Sequence, residues 1–233
     1  MTITDDDLAA LRALDTPTIC NALEIVAPER RISGFNRRPL ICPAAQQGPA
    51  VGFARTAMIQ CAESSGKSAV EIRELRLRYY EYIEQGPQPG LAVIQDVEGP
   101  DRGIGAFWGE VQSNIHKALG CAGVITDGSV RDIEQLADGF FVLAGSVMPS
   151  HVWADIVAIG TPVSVAGMHV DPGDLIHADR HGCVVIPQEV AGDIPAAAAM
   201  IVRKEAVILE ASRRPGFSAK DLERAFSDSD EIH

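Results

Sequence analysis

GVITDGSVRD, residues 123–132, decides how the middle of the chain folds. Gly-Val-Ile runs into Thr126-Asp127-Gly128, the pattern of a buried strand that ends in a turn. Ser129 then opens SVRDIEQLAD, whose spacing predicts a helix capped by the serine side chain. Arg131 and Asp132 therefore stand one turn into a helix at the carboxyl end of a strand, where open α/β sheets place their ligands. Arginine can hold a carboxylate or enolate oxygen with two hydrogen bonds, and aspartate is a hard oxygen ligand for Mg²⁺ or Mn²⁺. The bland alternative is a solvated helix face, on which Asp132 favours the N-terminal dipole and Arg131 pairs with a neighbour.

On either side of this block, strands alternate with helices. LAVIQDV (91–97) reads as a buried strand, and VQSNIHKALG (111–120) as the helix that follows a glycine-rich loop, EGPDRGIGAFWGE. FFVLAG (140–145) is the next strand. Further upstream, residues 5–26 form two short helices, with Thr16-Pro17 supplying an N-cap and a first-turn proline to the second. Residues 28–49 are irregular, 50–59 a strand, and EIRELRLRYYEYIE (71–84) a helix whose apolar stripe is Ile72, Leu75, Tyr79, Tyr82 and Ile83. From Ile156 to Pro187 short strands punctuated by GTP, AG, DPGD and DRHG predict an antiparallel meander. Residues 188–213 form a long helix, KDLERAF a last one, and SDSDEIH is expected to fray. The fold class is α/β: a layered domain with a mixed sheet and helical additions at both termini. No internal repeat or linker divides residues 1–233, so a single domain is expected.

Composition narrows the function. The chain has 46% apolar and 22% charged residues with a net charge of −12, which suits neither a nucleic-acid groove nor an anionic membrane surface. The acidic start carries no apolar signal segment, and five scattered cysteines without C-x-x-C read as reduced thiols, so a cytoplasmic location is expected. A small anionic ligand remains open if a metal or an arginine offsets the repulsion. Gly109-Glu110-Val111-Gln112 offers one place for it, because the free N–H groups of a helix start bind carboxylates; the alternative there is a plain flexible loop. His177 and His181 have a metal-like H-x3-H spacing but lie in strand-and-turn sequence, where that spacing does not converge. His116, His151 and His169 read as structural. The serines lack G-x-S-x-G, and no cysteine has a basic neighbour in sequence.

Glu110, twenty residues, then Arg131-Asp132, within WGE…GCAGVITDGSVRD, resembles the acidic-x20-R-D signature of the RraA-like family. LDTPTICNAL and PGDLIHADRHGCVVIP extend the resemblance over roughly residues 10–210, leaving 211–233 as a C-terminal helix and tail. That family includes class II aldolases for 4-hydroxy-4-methyl-2-oxoglutarate and 4-carboxy-4-hydroxy-2-oxoadipate, oxaloacetate decarboxylases and a regulator of ribonuclease E. The resemblance implies a layered β/β/α sandwich of swivelling-domain type. It implies a lyase that releases pyruvate through a metal-stabilised enolate, with the ribonuclease-binding regulator or another oxo-acid lyase or hydratase as rivals. By the same resemblance, Arg131 binds the pyruvyl group and Asp132 ligates Mg²⁺ or Mn²⁺. The backbone of Gly109, Glu110, Val111 and Gln112 holds the substrate carboxylate, and Glu110 orders a water that acts as base. Glu205 reaches in from an adjacent subunit of a homotrimer or homohexamer. Two departures are visible: the aldolases carry aspartate where this chain has Glu110, and residues 64–90 are longer than in the short regulators.

Overall fold

The structure is a computed structural model that describes residues 3–43 and 48–232. Positions 44–47 of the expected irregular stretch, Met1-Thr2 and His233 lie outside it. Helices α1 (Asp5–Arg12) and α2 (Thr16–Val26) lead to strand β1 (Ala50–Gln60), helix α3 (Ala69–Glu84) and strand β2 (Gly90–Asp96). The middle of the chain holds α4 (Glu110–Ala118), β3 (Cys121–Thr126), β4 (Ser129–Val130), β5 (Phe141–Leu143) and β6 (Ser146–Val147). Strands β7 (Asp155–Ile159), β8 (Val163–Val165), β9 (Met168–Val170), β10 (Leu175–Asp179) and β11 (Gly182–Ile186) follow, then helices α5 (Ile194–Ser212) and α6 (Ala219–Asp230).

The main sheet runs β11-β10-β1-β2-β3-β5, with β7 also paired to β1. Pairs β1–β2, β2–β3 and β3–β5 are parallel; β1–β10, β10–β11 and β1–β7 are antiparallel, so the sheet is mixed as expected. Side chains alternate across a strand, and the core divides accordingly. Ala92 and Ile94 of β2 pack with Tyr79 and Ile83 of α3 on one face. Leu91 and Val93 meet Val163, Val165, Met168 and Val170 of β8–β9 on the other. Val51 and Phe53 extend the helical face under α1, α2 and α5. The result is a β/β/α layering.

Several sequence expectations need correction; the long helix expected over 188–213, for one, starts only at Ile194, after a 3-10 turn at Ala191–Asp193. The 156–187 region is antiparallel but is no meander: β7 joins β1, β10–β11 is a hairpin on the sheet, and β8–β9 is a separate hairpin. Its two-residue turn, Ala166-Gly167, has positive φ at both positions, which matches the twist of the flanking strands. Next, SVRDIEQLAD does not form a helix. Ser129 and Val130 pair in parallel with Ser146 and Val147, the Arg131 N–H donates to the Trp108 carbonyl at 2.9 Å, and Asp132 is left-handed at φ 51°. Partners on both sides hold the chain extended through Arg131, and only a single 3-10 turn, Ile133–Gln135, follows. Ser129 is buried in this strand and caps nothing. Lastly, α6 does not fray at Ser227. It runs to Asp230, where the buried Ser229 hydroxyl donates to the Lys204 carbonyl at 3.1 Å.

The N-terminal helices are pinned through polar groups. Asp15, not Thr16, caps α2. Thr16 is buried, with its N–H donating to Asp179 at 2.9 Å and its hydroxyl 3.0 Å from His177 Nδ1. Burial opposes it, yet donors from Thr16 and His181 hold the Asp179 carboxyl below its usual range. No helix among the described residues is long and apolar enough to cross a membrane. The five cysteines are free, and burial pushes the Cys121 thiol up to about 12.

Parallel pairing of β3 with β5 leaves no room at Gly123, where an added Cβ would lie 2.6 Å from Phe141 Cβ and closer still to its carbonyl. Gly123→Ala should therefore cost about 1–3 kcal/mol of stability by overpacking, measured as a lowered urea midpoint at unchanged m-value. An unchanged midpoint would show that the strands part without penalty.

Candidate active site

Two chain segments meet at the carboxyl end of the parallel strands. One is the turn after β3, and the other is the glycine-rich loop after β2. Their junction is a buried charged cluster. Asp96 accepts from the N–H groups of Glu98 and Gly103, at 3.0 and 2.8 Å. Asp127 accepts from the Asp96 N–H at 2.9 Å and lies 3.3 Å from Arg102 Nε. Burial raises the Asp127 carboxyl, against the Asp96 N–H and the Arg102 charge. The cluster fixes where the loop leaves the sheet and so where α4 begins.

That start is the expected one. Gly109 is the N-cap of α4 and supplies no side-chain cap. Its backbone is extended, so the need for glycine is one of space. A Cβ there would fall 2.6 Å from Asp132 Oδ2 and 3.1 Å from Arg131 Cγ. The Glu110 N–H points at Asp132 Oδ2 from 3.4 Å, and Arg131 Nε is also 3.4 Å from that oxygen. Both contacts are long for hydrogen bonds, and the two side chains are each 37% exposed. The Asp132 carboxylate thus keeps lone pairs free beside a helix N-terminus whose first N–H groups lack intrahelical partners.

Arg131, Asp132, Gly109, Val111 and Gln112 line one cavity of ≈ 170 Å³. The structure thus brings together all the residues expected around the ligand except the carboxylates of Glu110 and Glu205. The Glu110 side chain is exposed and does not line the cavity, though its N–H faces Asp132. Glu205 sits on the exposed side of α5 and does not line the cavity of its own chain.

Two other polar lining groups lie outside the sequence expectations. Arg76 comes from α3 and His151 from the loop before β7. In sequence Arg76 looks like one charge among many in RELRLR; the available signal was its place beside Leu75, bordering the apolar stripe. His151 had no local signal. Its loop is tied to the glycine-rich segment by the Ala106 N–H, which donates to the Ser150 carbonyl at 2.8 Å. Val152 and Ala154 have φ of 46°, which for a β-branched valine is a strained geometry.

The other histidines serve the scaffold. His116 Nδ1 lies 2.7 Å from the Gln112 carbonyl, which can only accept, so Nδ1 carries the proton and Nε2 accepts from Tyr79 at 2.8 Å. Burial pulls His116 down to about 4, so it is neutral at pH 7. His177 lies in β10 and His181 in the turn after it, 3.2 Å from Asp179. His169 lies in β9, exposed beside Asp171. Among the described residues no group of three or more His, Cys, Asp and Glu side chains could hold a metal ion. A metal held at Asp132 would take most of its ligands from water and from the substrate. The free lone pairs of Asp132 suit such a loosely held hard cation.

The chain matches the RraA-like family, Aldolase/RraA, over residues 16–185. It belongs to that family. A Halalkalibacterium halodurans protein provisionally named as a 4-hydroxy-4-methyl-2-oxoglutarate aldolase is 28% identical over 185 residues, 78% of this chain and 77% of that protein. An uncharacterized Methanocaldococcus jannaschii protein is 35% identical over 120 residues, 51% of this chain and 58% of its own length, so the chain spans less than two thirds of that relative. Among solved structures, an uncharacterized protein from Pseudomonas syringae pv. tomato superposes with a TM-score of 0.72 at 25% identity, covering 98% of this chain and 96% of that one. RraAS2 of Streptomyces coelicolor, described as an unusual member of the RNase ES inhibitor RraA protein family, gives 0.67 at 20% identity over 88% of this chain and 96% of that one. This second likeness concerns the fold alone. The mixed sheet and the layering around this cavity are those of an RraA-like fold.

Gly109→Ala isolates the site from the scaffold, because its Cβ would strike the movable end of Asp132. The variant should melt within a few degrees of wild type and bind Mg²⁺ with a 2-oxo acid at least about tenfold more weakly, read by calorimetry. Wild-type affinity would mean that the close approach has no bearing on ligands.

Proposed function

We propose that this RraA-like protein is a divalent-metal-dependent carbon–carbon lyase. It cleaves a 4-hydroxy-2-oxo acid of the 4-hydroxy-4-methyl-2-oxoglutarate type to pyruvate, and decarboxylates oxaloacetate in the same site. The observation that carries the reading is the convergence of Arg131, Asp132 and the α4 N-terminus on one cavity. The provisional aldolase names of relatives such as the Halalkalibacterium halodurans protein point the same way.

In this reading the first-turn N–H groups after Gly109 hold the substrate carboxylate. Arg131 holds the 2-oxo end with its guanidinium fork. A base removes the proton of the 4-hydroxyl, the C3–C4 bond breaks, and C4 becomes a carbonyl. The bond's electron pair passes to the C2–C3 enolate, which takes a proton at C3 to give pyruvate. Loss of CO₂ from oxaloacetate leaves the same enolate. Arg131 stabilises this charge as it develops on the C2 oxygen, a preorganised electrostatic effect. Asp132 would hold Mg²⁺ or Mn²⁺, which as a Lewis acid would add charge stabilisation at the 2-oxo end. Glu110, and Glu205 from a neighbouring subunit of a trimer or hexamer, are the carboxylates proposed to manage the proton. The exposed position of Glu205 on α5 leaves it free to reach another copy.

Pyruvate release should be measured over a panel of 4-hydroxy-2-oxo acids and oxaloacetate, with Mg²⁺ or Mn²⁺ and after EDTA. Turnover should require the ion. Arg131→Ala and Asp132→Ala should each lower kcat/KM by about a hundredfold or more, roughly 2.7 kcal/mol. A protein that releases no pyruvate from any substrate would point to the ribonuclease-regulator reading. Near-normal rates in either folded variant would remove the Arg131–Asp132 pair from the chemistry.

A further inference from the structure

The cavity holds a second arginine that the mechanism above does not use. Arg76 Nη2 donates to the Ala154 carbonyl at 3.4 Å, while its Nε is buried with no hydrogen-bond partner. No ion pair within 4.0 Å engages its guanidinium among the described residues, in a chain with 32 acidic residues. The contrast is Arg102, whose Nε bonds the Asp96 carbonyl at 3.1 Å and lies 3.3 Å from Asp127. That arginine is matched by its own fold. A guanidinium has five N–H donors, and leaving them unmatched away from water is unfavourable. Arg76 therefore has donors to spare at the wall of a cavity that already contains Arg131.

Helix α3 places Arg76 with purpose-bearing neighbours. Tyr80, one turn further on, donates its hydroxyl to Gln112 Oε1 at 3.0 Å, so the Gln112 amide N–H groups are its remaining polar handle in the cavity. His151 lies on the same wall and uses Nδ1 toward the Val152 carbonyl, 2.7 Å away, leaving Nε2 uncommitted. Arg131, Asp132 and the start of α4 with its Gln112 amide line part of the cavity, and α3 and the 151–154 loop add a cation and an imidazole to its wall.

We propose that Arg76 is the specificity-determining residue of this site: it binds the distal carboxylate of the ligand, so the cavity selects 2-oxo dicarboxylates over 2-oxo monocarboxylates of equal chain length. The inference rests on the lyase reading only for which end reacts. It is tested by binding, which needs no turnover.

The experiment is titration calorimetry with excess Mg²⁺, using 2-oxoglutarate and 2-oxopentanoate as probes, on wild type, Arg76→Met and Arg76→Gln. Wild type should bind 2-oxoglutarate about tenfold or more tightly than 2-oxopentanoate, the usual scale for one charge-assisted contact. Arg76→Met should bring the two affinities within about twofold. Arg76→Gln, which keeps a donor for the Ala154 carbonyl, should give the same collapse and covers the case in which the methionine variant fails to fold. A merely structural arginine would weaken both ligands together and leave their ratio alone. A preserved ratio in either folded variant, or no preference in wild type, overturns the proposal. A wild type that shows the preference yet releases no pyruvate would sink the lyase reading and leave Arg76 in its place.

Discussion

The site depends on how closely the Gly109 backbone can approach the side chains of Arg131 and Asp132. Gly109 passes the Asp132 side chain so closely that a Cβ would sit 2.6 Å from the carboxylate and push it aside. That approach brings a helix N-terminus, an arginine and an aspartate into one cavity. The left-handed geometry of Asp132 completes it, for it turns the chain out of the strand directly after Arg131. Aspartate tolerates that conformation better than most residues. Without both features, Arg131 and Asp132 would point to opposite faces of an extended strand, as successive residues do.

The approach is held by charge that does not line the cavity. Asp96 and Asp127 are buried, share the Asp96 N–H as a link, and anchor the loop through Gly103 and Arg102. Breaking such a network leaves a buried charge without its partner, which costs far more than a surface ion pair. On the opposite side, the Ala106–Ser150 hydrogen bond and the Arg76–Ala154 contact tie the 151–154 loop to the same frame. The cavity is therefore assembled from α3, the start of α4 and three loops at the edge of the sheet.

Much of this was legible in sequence because hydrophobic period and turn chemistry are local. The strands at 50, 91 and 123, the stripe of α3 and, to within one residue, the start of α4 all follow from spacing, and Arg131-Asp132 stands out by residue type alone. The failures share a cause. SVRDIEQLAD has a helical pattern, but Trp108 and Val147 recruit Ser129–Arg131 into parallel pairing, a non-local contact that overrides it. The last turn of α6 survives because Ser229 is bonded to α5. Arg76 and His151 enter the cavity from segments about 55 residues before and 20 after Arg131-Asp132, so nothing local marks them. An H-x3-H spacing, by contrast, drew notice and proved to be strand and turn.

The central claim is that the ion site at Asp132 and the oxo-acid site at Arg131 act as one. Oxalate copies the adjacent carboxylate and oxyanion of a pyruvate enolate, and its binding can be titrated with and without Mg²⁺. The account predicts reciprocal coupling: Mg²⁺ tightens oxalate about tenfold or more, and oxalate tightens Mg²⁺ by the same factor. Oxalate affinity that is indifferent to Mg²⁺ would contradict it.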